Sequence, residues 1–302
     1  MSKIPTRVLW QRTLLIYRSD WKKHFLTALP PAIISVLIYV AGNLLLIELY
    51  RRARSFDVNQ MLLITAQSLA VRLIEVGLPW TLTTLAYAAV SANILIKSPT
   101  SGRAISDSYS SARERLGPLF RVGLITFVAM IAGYAISSAC SFVIGFSSFV
   151  PKQFRLMTFE VLLAVCVILW AGLLSRAALS APILMTSDDR TQGAWDAIKK
   201  SIKMSEGYEP FFIFLVAQTL LLSFLGPWLG REVLLQLWLR SSVSANAYKW
   251  IGYSLDALLP AAIETFAFVG FTVLYLELVE RDNGVQDVEL DEGTVAIPIS
   301  PR

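Results

Sequence analysis

The chain has 302 residues, 55% of them hydrophobic and only 16% charged, with a mean hydropathy of +0.57. Soluble domains carry about 25% charged residues, so this composition excludes an ordinary globular enzyme and points to a polytopic membrane protein. The formal charge of +5 does not redirect that reading to nucleic acid, because basic residues of membrane proteins gather in cytoplasmic loops and face anionic headgroups.

The N-terminal stretch carries Lys3, Arg7, Arg12, Arg18, Lys22 and Lys23 before the first apolar run. That run, 25–47, is too long for the apolar part of a secretory signal and ends at Glu48 and Arg51 without a small-residue cleavage site. It is expected to stay as the first span. Crossing the hydrocarbon core takes about 20 apolar residues, and runs of that kind predict six transmembrane helices at 25–47, 76–96, 122–150, 161–185, 211–230 and 250–279. Arg176 interrupts the fourth, and Asp256 and Glu264 lie in the sixth. Pro30, Pro31 and Pro79 predict kinks in spans one and two. Gly133, Ser137, Ser138, Ser141 and Gly145 give span three a face suited to close helix packing. The stretches 50–75 and 233–239 read as short helices capping the bundle from outside. Residues 1–281 thus form one all-α membrane domain, and 282–302, with Asp287, Glu289, Asp291 and Glu292, reads as an acidic disordered tail.

Orientation follows from the basic residues. Seventeen Lys and Arg fall on the side of the two termini and nine on the other, so both termini are predicted cytoplasmic. An internal repeat precedes spans one, three and five. Trp10, Leu14, Tyr17, Trp21 and Phe25 share a spacing with Ile105, Tyr109, Ala112, Leu116 and Phe120, and with Ala197, Ser201, Met204, Tyr208 and Phe212. Steps of three and four residues put each set on one helix face. Three basic amphipathic helices at the membrane surface, each leading into a hairpin of two spans, are the architecture this predicts. Lys22, Lys23, Arg113, Arg115, Lys199 and Lys200 are their candidate contacts to anionic headgroups.

Chemical motifs are sparse. His24 is the only histidine, and Cys140 and Cys166 lie within apolar runs, where cysteine acts as a small hydrophobe. No metal or cofactor is expected from this inventory, nor a catalytic residue, since a serine nucleophile would lack a membrane histidine as base. Charges inside the membrane are costly and mark function by default. Arg72 and Glu75, three residues apart, read as a local ion pair. Counting from Asp188 and Glu280, Arg176 and Glu264 lie at depths of roughly 18 and 24 Å, within reach of each other if their spans are neighbours. They are the candidate intramembrane polar pair.

Several short motifs resemble the membrane domain of bacterial glycerophosphoryl diester phosphodiesterases. They are Ser175-Arg176-Ala177 through Ala181-Pro182, then Ala194 to Ser201 with Glu206-Gly207, and Leu274-Tyr275-Leu276-Glu277 running to Arg281 with Gly284 and Val288-Glu289-Leu290. Tyr17-Arg18 and the helix from Ala112 to Leu119 also fit. The chain departs from the family at Glu277, where aspartate is usual, and at Val279, where arginine is usual. The acidic residue after span four is displaced to Asp188 or Asp189. The resemblance implies a six-span domain of the bacterial inner membrane, without the phosphodiesterase activity. Three functions are compatible with the sequence: a non-catalytic module binding membrane lipids or partner proteins, a transporter or channel with a polar pathway through Arg176 and Glu264, and a lipid-modifying enzyme.

Overall fold

The computed structural model describes residues 4–52, 58–95, 104–147, 151–187, 192–239 and 245–282. Among these every regular element is helical. Six helices are long: α1 (Thr6–Arg52), α2 (Val58–Leu95), α4 (Leu116–Gly145), α5 (Arg155–Leu174), α8 (Glu209–Leu239) and α9 (Ala245–Asp282). The short ones are α3 (Ala104–Glu114), α6 (Ser180–Thr186) and α7 (Ala194–Met204). Five stretches are long and apolar enough to cross a membrane: Thr6–Arg51, Leu62–Leu95, Leu116–Gly145, Arg155–Thr186 and Ala261–Arg281. The expected fifth span, 211–230, falls within α8, where the apolar stretch of described residues is Glu209–Ser223. The two expected capping helices are not separate elements. Residues 58–75 are the start of α2 and 233–239 the end of α8. The tail from 283 onward lies outside the described residues.

The burial pattern is that of a protein solvated by lipid. Large apolar side chains point outward, among them Val143, Leu62, Leu44 and Leu221, while small and hydroxylated residues such as Ser91, Thr272, Ser141 and Ala88 are buried. Hydrocarbon gives apolar side chains no reason to turn inward, so close packing and hydrogen bonds hold such helices together. The stripe at four-residue spacing in α4 follows this rule. Gly133, Ser137, Ser141 and Gly145 are buried, α4 packs on α5, and a Cβ at Gly145 would lie 3.0 Å from the backbone of Phe159.

Each long helix packs against the next, and α9 returns to α1, so the three hairpins close a ring. One end of this ring is tightly packed. There Leu9, Val90, Leu119, Leu184, Phe212 and Leu274 are buried in a single core. Polar joints reinforce it: Ser91 meets Thr272 at 2.9 Å between α2 and α9, Asn93 donates to Thr27 at 2.8 Å between α2 and α1, and Arg12 forms an ion pair with Glu277 between α1 and α9.

The predicted repeat has a structural counterpart in where the chain bends. α1 carries non-helical dihedrals at Asp20. Arg115, 95 residues on, separates α3 from α4. Gly207, 92 residues further, has φ 86° in the turn between α7 and α8. Each break divides a short amphipathic helix from a long apolar one, although α3 itself carries Asp107 and Glu114 against the single Arg113. In α7 the buried face includes Ala197 and Ser201 of the shared spacing, both fully buried. In α1 it is displaced by one residue: Leu9, Thr13 and His24 are buried, whereas Leu14 and Trp21 are about half exposed. Pro30 and Pro31 do not interrupt α1.

The fourth span tightens locally instead. After α5 a tight helical turn, Ser175–Leu179, precedes α6. Pro182 has no N–H to give the carbonyl four residues back, so the helix restarts where that N–H is not needed, within the first turn of α6.

Candidate functional site

Two places gather polar side chains that the bundle does not need for its packing. The first is a cavity of about 360 Å³ between α1, α2 and α9. Ser35, Val36 and Tyr39 face it from α1, Glu75 and Thr83 from α2, and Glu264 and Phe268 from α9. Prolines at positions 31 and 79 also line it. They lie in the helices where kinks were expected.

Glu75 and Arg72 form the local pair that their spacing implies, Arg72 Nη1 lying 2.6 Å from Glu75 Oε2. The pair is lopsided: the Arg72 side chain is 52% exposed and that of Glu75 only 4%. The other oxygen, Oε1, is buried with no hydrogen-bond partner among the described residues. It sits against Gly42 of α1, where a Cβ would overlap it. Glu264 is partly buried, with no hydrogen bond or ion pair among the described residues. The sequence signal missed here is the combination of Gly42 with Glu75. Absence of a side chain on α1 lets a carboxylate of α2 approach the same space as Glu264.

Arg176 is not part of this cavity, and the expected Arg176–Glu264 pair is not formed. The guanidinium reaches the turn between α7 and α8. Its Nη1 lies 3.2 Å from Glu209 Oε1, its Nε donates to Ser205 Oγ at 3.1 Å, and its Nη2 donates to the Ile202 carbonyl at 2.8 Å. Ile202 lies in the last turn of α7, where carbonyls lack helical donors and a cation is favoured. Glu209 opens α8, where an anion is favoured, and also accepts from the Gly207 N–H at 3.1 Å. Ser201 in turn donates its hydroxyl to the Arg176 carbonyl. Arg176 therefore staples the tightened stretch of span four to the turn.

The second place is the set of short basic helices. Lys22, Arg113, Lys199 and Lys200 are exposed, and Lys23 is partly buried. Lys22 Nζ lies 5.9 Å from the ring centre of Trp21, and Lys199 Nζ lies 5.7 Å from that of Trp195. Both indoles are about half exposed. Arg115 differs from the others: its guanidinium donates to the Ser187 carbonyl at 2.5 Å and ties α3 to the end of α6.

These features define the class: an all-α, polytopic membrane protein with an acidic cavity between three of its helices. Compared with protein-family models, curated proteins and solved structures, the chain matches none.

Proposed function

We propose that the protein is a non-catalytic module of the bacterial inner membrane that binds anionic lipid through its basic helices. The observation carrying this reading is the pairing of Lys22 with Trp21 and of Lys199 with Trp195, each indole about half exposed. Tryptophan favours the headgroup level, and a lysine held over its face presents a charge there. Each basic residue near an anionic surface contributes about 1 kcal/mol. Arg113 and Lys200 add to the patch, and Arg115 serves packing as well as charge. In this reading both termini are cytoplasmic, on the side of the 17 basic residues. The resemblance to the phosphodiesterase membrane domain is compatible with it. The transporter alternative required Arg176 and Glu264 on one path, and Arg176 is committed to Glu209.

Lipidomics of the full-length protein in nanodiscs extracted directly from membranes tests the proposal. Anionic phospholipid is expected to be enriched over the bulk membrane, and the combined variant Lys22→Gln, Arg113→Gln, Lys199→Gln and Lys200→Gln is expected to lose most of that enrichment. Unchanged enrichment in the variant would refute it. The orientation is checked separately: a cysteine introduced at Ser2 is expected to resist an impermeant reagent added to intact cells, and its labelling from outside would reverse the topology.

A further inference from the structure

We propose that the cavity between α1, α2 and α9 binds a lipophilic monovalent cation, an ammonium or phosphonium centre on an apolar body, with Glu264 as its counter-ion. The site is separate from the basic helices, and its occupancy does not depend on the lipid-binding reading. Its volume, about 360 Å³, lies within the range of small-molecule pockets.

Charge decides the sign of the occupant. Of the two carboxylates on the cavity wall, Glu75 is offset by Arg72 at 2.6 Å, and among the described residues no basic one lines the cavity. Glu264, when ionised, is one negative charge without a partner among the described residues. A lone charge in this setting is far costlier than a paired one, so the cavity favours a single positive charge.

The remaining wall suits the ligand's body. Val36, Phe268 and the two prolines are apolar, and Tyr39 and Phe268 supply aromatic faces that attract a cation. A zwitterionic lipid headgroup fits less well, because its phosphate would meet two carboxylates and, among the described residues, no basic side chain. A metal ion would be held by more oxygens than the cavity brings together: among the described residues no three His, Cys, Asp or Glu side chains converge.

The test is equilibrium dialysis of radiolabelled tetraphenylphosphonium against the full-length protein in an uncharged maltoside detergent. Saturable binding at one site per chain is expected, with none for tetraphenylborate, which has the same shape and opposite charge. Glu264→Gln is expected to weaken binding by about tenfold or more, and Glu264→Asp by less than about threefold. Ala32→Phe keeps Glu264 but fills space beside it, and is expected to weaken binding as much as Glu264→Gln. Its folding is followed independently by melting temperature. Absence of saturable binding to the wild type, equal binding of the borate, or unchanged affinity in Glu264→Gln overturns the assignment. Displacement of the phosphonium by short-chain phosphatidylethanolamine at equal concentration would replace the small cation with a lipid headgroup and also overturn it.

Discussion

Replacing Arg176 with methionine is expected to cost about 2 kcal/mol of stability, and the loss is expected to couple to Glu209 and not to Glu264. The magnitude follows from the contacts. Hydrogen bonds to a charged group contribute about 1.5–3 kcal/mol each when buried, but here the side chains are 18% and 32% exposed, and water screens part of the effect. Arg176 also holds the carbonyl at the end of α7 and the hydroxyl of Ser205, so its removal loosens three partners together. The measurement is unfolding by SDS titration in mixed micelles for Arg176→Met, Glu209→Gln and the double variant. The two losses are expected to fall short of additivity by about 1 kcal/mol. In a parallel cycle, Arg176→Met and Glu264→Gln are expected to add within about 0.5 kcal/mol. Coupling in the second cycle with additivity in the first would restore the pair expected from depth alone.

That expectation failed for a definable reason. Depth was counted along a straight helix, whereas the chain around Arg176 is a tight helical turn set by Pro182. The actual partner, Glu209, lies in a different helix and outside the apolar run expected as span five. Side chains that meet across a turn leave no local spacing to read. The same holds for Glu75 and Glu264, whose helices are brought together by packing that the linear sequence does not encode as a motif.

What local spacing does encode was legible. The all-α membrane fold follows from the apolar runs, the α4 stripe from four-residue spacing of small residues, and the Arg72–Glu75 pair from its separation of three. The one-residue shift of the buried stripe in α1 shows the limit. In water an apolar face identifies the inside of a protein, but beside lipid both faces are apolar. Burial is then marked by Thr13 and His24, which an aromatic and aliphatic spacing does not include.

Tyr109→Phe is expected to cost about 2 kcal/mol, and most of that cost is expected to disappear when Pro31 is replaced by alanine. In a regular helix the Thr27 carbonyl would accept from the N–H of residue 31. Proline there has none, and α1 nevertheless continues through it. The hydroxyl of Tyr109, on α3, donates to that carbonyl instead. Thr27 is fully buried, so losing the donor leaves an unsatisfied acceptor, a penalty of about 1–3 kcal/mol. Burial pushes the Tyr109 phenol up to about 12, so it stays protonated and able to donate throughout the physiological range. The contribution is therefore expected to be independent of pH there. Pro31→Ala restores a main-chain donor within α1, after which the tyrosine hydroxyl is redundant and its removal is expected to cost less than about 0.7 kcal/mol. The check is the same SDS titration on the two single variants and the double. An equal cost for Tyr109→Phe with and without the proline would mean that the hydroxyl is not replacing the missing N–H. A cost that vanishes with the proline identifies α3 as the element that allows a proline-containing span to remain an unbroken helix.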